Sequence, residues 1–305
     1  MRLGTRGSAL ALAQSGEVRD RLPALGADVE LVTIRTEGDR RVDQRLADVG
    51  GKGLFVKELE EALLDKRVDL AVHSLKDLPA EVPAGLTLAA YPPREDPRDL
   101  LVTRAGPGGL QMLPPAARVG TSSPRRRALL LAVRPDLRVE PLRGNVDTRL
   151  RKLTEDDWDA IVLAAAGLRR LGLAPANATP LDPGTFVPAV GQGIVAIEAR
   201  ADDAQTLDWL RALDDAAARA SAEAERAYLA HLGASCVTPM AAHAHVCSDR
   251  LQLDAVVASE DGRQVLRETE SGGRRDAAQL GRTVAERMLA RGAASITALR
   301  PAGHR

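Results

Sequence analysis

Apolar and polar positions in the first part of the chain alternate in blocks, with a period that changes from that of a strand to that of a helix. The short strand MRLGTR precedes the helix-period segment SALALAQSGEVRDRL, in which Ser8 is a candidate N-cap. The strand DVELVTI, the helix LFVKELEEALLDKR and the buried strand VDLAVHS follow. This alternation predicts βαβ units around a mainly parallel sheet.

The same pattern begins again after a stretch rich in proline and glycine near residues 92 to 115. RVGTSSPRRRALLLA resembles RLGTRGSALALA, and WDAIVLAAAG resembles VDLAVHSLKD. We therefore predict two similarly built α/β lobes. FVPAVGQGIVAIEAR, residues 186 to 200, has strand character with a Gly-Gln-Gly break and is predicted to carry the chain back across a cleft. Two lobes joined by crossing segments suggest a hinge.

The last third of the chain predicts a smaller α+β domain. Residues 215 to 231 have a helical pattern, and the loop LGASCVTPM follows. AAHAHVC, RLQLDAVVAS and QVLRETE are typical of strands in an antiparallel three-stranded sheet, and RRDAAQLGRTVAERMLAR of an amphipathic closing helix. The predicted domains are residues 1–95 with 194–213, residues 96–193, and residues 214–305.

Composition narrows the classes of function. No apolar run reaches the ~18 residues of a membrane helix, and the first residues lack the apolar segment of a signal peptide, so we expect a cytoplasmic protein without a membrane partner. The 42 basic and 42 acidic residues give zero net charge, and aromatic residues make up 2%. Both values argue against a nucleic-acid partner.

Positive charge is nevertheless concentrated locally. The segment from Arg118 to Lys152 contains ten basic and three acidic residues. Part of this excess is expected on a solvated helix face, namely Arg127, Arg134 and Arg138. In a neutral protein the remainder indicates a local site for an anion.

Two motifs within this segment predict where the anion binds. GTSSPRR places three hydroxyl residues, Thr121, Ser122 and Ser123, before a helix whose free amides point at an anion. RGNVDTRLRK repeats the arrangement, with Arg143 before a Gly-Asn turn and Arg149 in the following helix. Guanidinium groups bind carboxylates through paired hydrogen bonds, so both motifs predict binding of carboxylate or phosphate.

Other candidates are weaker. HSLKDLP puts Lys76 and Asp77 at the end of a strand, where open α/β sheets bind ligands, but adjacent opposite charges are also common on surfaces. GGKG, residues 50 to 53, lacks the spacing of a phosphate-binding loop, and a mobile loop is expected there. His243, His245 and Cys247 share a strand face, but four residues along a strand span ~13 Å, so they are interpreted as packing residues and no metal is expected.

Taken together, TRGSALALAQ, HSLKDLP, GTSSPRR, RGNVDTRL, VGQG and ASCVTP strongly resemble the porphobilinogen deaminase (hydroxymethylbilane synthase) family. The resemblance implies two periplasmic-binding-protein-like lobes and a small third domain. It also implies a transferase of haem-type pigment biosynthesis that joins four porphobilinogen molecules, releasing ammonia at each step, into linear hydroxymethylbilane. The implied cofactor is a dipyrromethane attached by a thioether. In isolation Cys236 would be interpreted as an inert buried thiol.

The resemblance also implies roles for individual residues. It gives cofactor attachment to Cys236 and catalysis to Asp77, and it puts Lys52 and Phe55 on a flexible loop beside the site. Its cofactor- and substrate-binding residues are Arg6, Ser8, Lys76, Thr121, Ser122, Ser123, Arg125, Arg126, Arg143, Gly144, Asn145, Arg149, Arg170, Gln192 and Gly193. Every pyrrole unit carries two carboxylates, which would explain why the segment from Arg118 to Lys152 contains so many basic residues. A monomer that passes its product to the next tetrapyrrole enzyme is expected.

One alternative remains open from the residues themselves. A hinged two-lobe protein that binds a small carboxylate ligand would also explain the arginines. Such a protein has no use for a thiol on a third-domain loop, and it usually carries an export signal.

Overall fold

The computed structural model describes residues 1–22, 26–36, 56–235 and 237–299. The strands are β1 (Arg2–Thr5), β2 (Glu30–Thr33), β3 (Leu70–Ser74), β4 (Leu86–Ala90), β5 (Asp99–Thr103), β6 (Arg118–Gly120), β7 (Arg138–Glu140), β8 (Ala160–Ala164), β9 (Ala178–Pro180), β10 (Val195–Arg200), β11 (Met240–Cys247), β12 (Arg250–Ala258) and β13 (Val265–Gly273). The helices are α1 (Ala9–Arg21), α2 (Lys57–Leu64), α3 (Pro124–Val133), α4 (Val146–Glu155), α5 (Ala165–Arg170), α6 (Ala204–Arg211), α7 (Ala216–Leu232), α8 (Ala277–Ala290) and α9 (Ala293–Ile296). None of these described helices is both long and apolar enough to cross a membrane.

Two five-stranded sheets share one topology. Their strand orders are β2-β1-β3-β10-β4 and β7-β6-β8-β5-β9. In each sheet the first three strands are parallel, and the fourth runs antiparallel to both of its neighbours. The internal sequence similarity thus reflects two α/β lobes with the same strand order, which confirms the predicted fold class.

The prediction of a mainly parallel sheet was wrong for half of the strand pairs. β5 and β10 are the antiparallel strands, and each is the first strand formed after the chain has crossed from one lobe to the other. A strand that arrives by such a crossing does not pass through the right-handed helical crossover that makes neighbouring strands parallel.

The two crossing segments lie side by side. The Glu95 amide donates to the Gly193 carbonyl at 3.1 Å, and Arg94 Nε donates to the Gln192 carbonyl at 2.9 Å. The predicted return of the chain through residues 186 to 200 is therefore present as β10 and the segment before it. The domain boundaries predicted from the sequence remain a proposal.

The third sheet, β11-β12-β13, is antiparallel and is covered by α7 and α8. Tyr228, Leu253 and Val284 are fully buried between the helices and the sheet. Burial of each such side chain contributes roughly 1.5 to 3 kcal/mol. The helices approach closely at Gly281, where a Cβ would lie 2.1 Å from the Ala224 carbonyl oxygen.

Candidate functional site

A turn of the first lobe faces helix starts of the second lobe. β3 continues into the 3-10 turn Leu75–Asp77, which extends the carboxyl end of a parallel strand. Asp77 interacts electrostatically with Arg149, and Lys76 with Arg125 and Arg126. The structure therefore brings the HSLKD turn to the GTSSPRR and RGNVDTRL helices, as expected for a site between the lobes.

Asp77 is exposed at the tip of this turn, and Lys76 beside it is partly exposed. Burial of the ammonium lowers the pKa of Lys76 to about 8, with Arg126 and Arg125 adding to the effect and Asp77 and Asp99 opposing it. Among the described residues, neither side chain makes a hydrogen bond, so both are available to a ligand. The turn offers a carboxylate and a cation next to each other.

The base of the turn is fixed by the second crossing segment. The Leu75 amide donates to the Ile194 carbonyl at 3.0 Å. Gly191 packs directly on Leu75 with a φ of +71°, and a Cβ there would lie 2.7 Å from Leu75 Cγ. Only glycine tolerates both the conformation and the approach. The VGQG motif thus holds Asp77 in position through the backbone.

The hydroxyl turn after β6 is tied down by its own side chains. Ser123 caps α3 by accepting from the Arg126 amide, and Thr121 Oγ1 accepts from the Ser123 amide at 3.2 Å. Ser122 Oγ donates to the Leu142 carbonyl at 2.9 Å. The structure brings the three predicted hydroxyl residues together at a helix N-terminus, where backbone dipoles attract anions.

Arg125 and Arg126 differ from their expected exposure. Both are buried and flank the carboxylate of Asp99, with Arg125 Nη1 at 2.8 Å and Arg126 Nη2 at 2.7 Å from its oxygens. Arg125 also donates to the Val187 carbonyl and Arg126 to the Val162 carbonyl. Although Asp99 is buried, the two guanidinium groups hold the pKa of its carboxyl well below the usual range. Asp99 therefore neutralises part of the positive charge that Arg125 and Arg126 could offer to a ligand.

The second basic motif forms the start of α4. Asn145 caps the helix by accepting from the Thr148 amide at 3.0 Å, and Arg149 Nε donates to the Gly144 carbonyl at 2.7 Å. Gly144 has a φ of +116°, and a Cβ there would come within 2.6 Å of Thr148. Burial lowers the pKa of Arg149 to about 10, and nearby Arg126 adds to the effect. The guanidinium remains charged at neutral pH. Arg143 lies just before this turn and is partly exposed.

Three further predicted residues lie at the crossing segments. Gln192 is buried and donates to the Pro97 carbonyl and to Asp99 Oδ1, at 2.6 and 3.1 Å. Arg170 Nη2 donates to the Gly193 carbonyl at 3.0 Å, and its Nε lies 3.3 Å from Glu17 of the first lobe. These side chains join the lobes to the hinge, and Arg170 and Glu17 also line a cavity of about 430 Å³.

The opening turn contributes Arg6 and Ser8. Arg6 follows β1, and Ser8 caps α1 by accepting from the Ala11 amide at 3.3 Å. The strand, hydroxyl cap and helix have the same order as β6, Ser123 and α3 in the second lobe. Both lobes therefore present a capped helix start.

Three predicted residues, Lys52, Phe55 and Cys236, lie outside the described part of the chain. Two described residues near position 236, Ser235 and Thr238, are hydrogen-bonded to each other. The Thr238 amide donates to the Ser235 carbonyl at 2.9 Å, and the Ser235 amide donates to Thr238 Oγ1 at 3.1 Å.

Sequence reasoning missed Asp99 and Glu225. Glu225 is fully buried, and its oxygens accept from Arg94, the Gly191 amide and the Ala244 amide. For Asp99 the available signal was an acidic residue directly before the apolar run LLV, because a buried carboxylate requires a partner. Glu225 lies in a helix with several other charged residues, so its burial had no comparable signal. Asp99 orients the two arginines of α3, and Glu225 joins the hinge to the third domain.

The described site fits a ligand that carries several carboxylates. Lys76 lies beside Asp77 and Arg149 interacts with it, the helix starts add backbone donors, and Arg125 Nε is buried without a hydrogen bond to any described residue. A buried donor of this kind is normally satisfied. An anionic group bound beside Arg125 would supply the acceptor.

Comparison with known proteins gives a consistent result. Residues 1–208 match the family profile described as porphobilinogen deaminase, dipyromethane cofactor binding domain, and residues 220–290 match the porphobilinogen deaminase C-terminal domain. The porphobilinogen deaminase of Syntrophobacter fumaroxidans is 50% identical over 298 residues, which cover 97% of this chain and 96% of that protein. The porphobilinogen deaminase of Roseiflexus sp. (strain RS-1) is 51% identical over 300 residues, covering 97% and 98%.

Solved structures include more distant matches. A periplasmic substrate-binding protein of an ABC transporter from Coxiella burnetii is 16% identical with a TM-score of 0.43, covering 70% of this chain and 91% of that one. A nutrient binding protein from Burkholderia cenocepacia bound to methionine is 14% identical with a TM-score of 0.42, covering 69% and 90%. At these values the likeness supports no inference about activity. With about half of its residues identical to those of curated relatives over nearly its whole length, the chain belongs to the porphobilinogen deaminase family.

Proposed function

We propose that this protein condenses four porphobilinogen molecules into hydroxymethylbilane on a dipyrromethane primer held by a thioether to Cys236. One ammonia leaves at each condensation, and water adds when the linear product is released. The observation that carries the proposal is the position of Asp77, an exposed carboxylate at a strand end that lies next to Lys76 in the same turn and interacts with Arg149 of the second lobe.

The cations account for substrate binding. Each pyrrole unit has an acetate and a propionate, so a growing chain accumulates negative charge. Arg149 and Lys76 offer positive charge in the cleft, and the capped starts of α3 and α4 offer backbone amides. Arg125 and Arg126 are ion-paired with Asp99, which fixes the positions of their guanidinium groups. These groups would therefore be in place before a substrate carboxylate binds to them.

Asp77 accounts for the chemical step. An ionised carboxylate accepts hydrogen bonds from pyrrole NH groups and offsets the positive charge that develops on the substrate as ammonia leaves. Its backbone is fixed through Leu75 and Gly191, so the charge is in place before the reaction begins. A carboxylate held in this way stabilises the transition state more than a mobile one.

The dipyrromethane, when bound, supplies the electron-rich pyrrole carbon to which the incoming unit is joined. The match of residues 1–208 to a dipyromethane cofactor binding domain supports a cofactor site between the lobes. Cys236 is proposed as the attachment point because its motif ASCVTP matches the family, and the neighbouring residues Ser235 and Thr238 are hydrogen-bonded to each other. A thiolate is a competent nucleophile toward an electrophilic methylene carbon.

The remaining expectations are part of the same proposal. The protein acts as a cytoplasmic monomer and passes its product to a following tetrapyrrole enzyme. The alternative, a hinged binding protein for a small carboxylate ligand, shares the two-lobe architecture but predicts no release of ammonia.

Product stoichiometry tests the proposal directly. The purified protein is incubated with porphobilinogen, and ammonia and hydroxymethylbilane are measured together. Four ammonia molecules per tetrapyrrole are expected. Binding of porphobilinogen without release of ammonia would favour the binding-protein alternative.

A further inference from the structure

A cluster of metal-ligand side chains lies on the third-domain sheet, among residues not used around Asp77. His243 and His245 are two positions apart on β11, so both side chains leave the same face of the strand. Asp254 on β12 is directly opposite His243 in the strand register. Neighbouring strands thus bring two imidazoles and a carboxylate to one face.

The three side chains are close enough to share an ion. One ligand atom from each lies within 4.8 Å of the others, and His245 Nδ1 is 3.7 Å from Asp254 Oδ2. The imidazole rings are stacked, with centroids 5.3 Å apart and planes 20° from parallel. Nitrogen and oxygen ligands of tetrahedral zinc bind at ~2.0–2.2 Å, which places them ~3.3 Å from one another. Small side-chain rotations would close the remaining gap.

Hydrogen bonds to neighbouring side chains already orient the carboxylate of the cluster. Asp254 Oδ1 accepts from Thr269 Oγ1 at 2.8 Å, and Gln252 Nε2 donates to the same carboxylate at 3.2 Å. Such outer contacts orient a ligating carboxylate. His245 Nδ1, by contrast, is buried and has no hydrogen-bond partner among the described residues. The carboxylate is fixed, and one imidazole nitrogen lacks a partner.

The cluster lies at the wall of a cavity that could admit an ion. The cluster lines a cavity of about 740 Å³ whose wall also includes the carboxylates of Glu95, Asp96 and Asp215. Arg94 is paired with the buried Glu225 at 2.7 Å, and Arg98 and Arg169 pair with Asp96 and Glu95. The nearby charges are therefore largely compensated, and Asp254 supplies the carboxylate within the cluster itself.

We propose that His243, His245 and Asp254 bind one divalent transition-metal ion of the zinc class. Three protein ligands leave a fourth position open toward the cavity. The sequence argument against a metal considered Cys247 as the third ligand along one strand, whereas here the third ligand comes from the neighbouring strand. All three ligands belong to one sheet, so binding would stabilise the third domain.

The test uses the untagged full-length protein, stripped with a chelator and titrated with Zn²⁺ in competition with a chromophoric chelator. We expect one Zn²⁺ per chain, a higher melting temperature with Zn²⁺ present, and the visible spectrum of four-coordinate Co²⁺ on substitution. His245→Ala and Asp254→Asn should each weaken binding about tenfold or more.

Matched variants exclude other sites. His231→Ala removes a partly exposed histidine of α7, and Cys247→Ser removes the exposed thiol of β11; both should bind Zn²⁺ as the parent does. Equal binding by the parent, His245→Ala and Asp254→Asn would overturn the proposal, as would loss of binding in Cys247→Ser. None of these measurements depends on catalysis.

Discussion

Arg126 Nη2 lies 2.7 Å from Asp99 Oδ1 in the buried part of the second lobe, and Arg126 Nε donates to the same oxygen at 3.0 Å. Arg125 pairs with the other oxygen, so one carboxylate orients two consecutive arginines of α3. A buried ion cluster therefore orients the first turn of α3, which belongs to the proposed anion-binding surface.

Asp99→Asn is predicted to destabilise the protein, because it leaves two buried guanidinium groups without a counter-charge. The expected loss is roughly 3 to 5 kcal/mol of the free energy of unfolding, measured by urea denaturation. Asp136→Asn removes the exposed partner of Arg134 and serves as the control, with little change expected. Equal stability of the two variants would contradict the account.

The same pair predicts an acid dependence. The arginines lower the pKa of Asp99 in the folded state, so its stabilising contribution is present above the carboxyl pKa of the unfolded chain. That contribution decreases as pH falls below about 4. The parent protein should lose stability in this range more steeply than Asp99→Asn.

Arg149→Ala is predicted to weaken the binding of porphobilinogen and of the cofactor. Loss of one charge-assisted contact costs roughly 1.5 to 3 kcal/mol, which corresponds to a tenfold or larger rise in KM. Arg138→Ala, at an exposed position of the same basic segment, is the matched control and should bind substrate as the parent does. An unchanged KM in Arg149→Ala would remove this residue from the substrate site.

Lys76 should make substrate binding sensitive to alkaline pH. Its ammonium has a pKa lowered to about 8, so the positive charge is present below that pH and is lost as pH rises through it. KM for porphobilinogen should rise between about pH 7 and pH 9 in the parent protein. Lys76→Arg keeps its charge throughout this range, and the rise should be absent. An identical pH profile in both proteins would contradict the role of Lys76.

Asp77→Asn is predicted to abolish most turnover, with folding preserved. The amide keeps the shape of the side chain but loses the charge, and removal of a preorganised electrostatic contact costs about 10²-fold or more in rate. Asp77→Glu keeps the charge, displaced by one methylene, and should retain partial activity. Release of ammonia from porphobilinogen measures both variants, with cofactor content verified by mass. Turnover of Asp77→Asn near the parent rate would show that Asp77 is not the main catalytic group and would favour Lys76 or the arginines instead.

Much of this architecture was predictable from local patterns. The repeated strand, hydroxyl turn and helix predicted both lobes because capping by Ser8 and Ser123 depends on neighbouring residues alone. The positions of Asp77 and Arg149 at element ends also followed from sequence. Contacts between residues distant in sequence could not be predicted from local patterns. Asp99 pairs with residues 26 and 27 positions away, and the group formed by His243, His245 and Asp254 depends on strand register, which one strand's pattern does not reveal.

The intact mass of the denatured protein tests the covalent primer most directly, since a thioether survives unfolding. The parent, Cys236→Ser and Cys247→Ser are produced in a host that makes porphobilinogen and are unfolded before mass spectrometry. The parent and Cys247→Ser should be heavier than their sequence masses by two condensed pyrrole units, and Cys236→Ser should have its sequence mass. Excess mass retained by Cys236→Ser, or a parent protein at its sequence mass, would contradict the account.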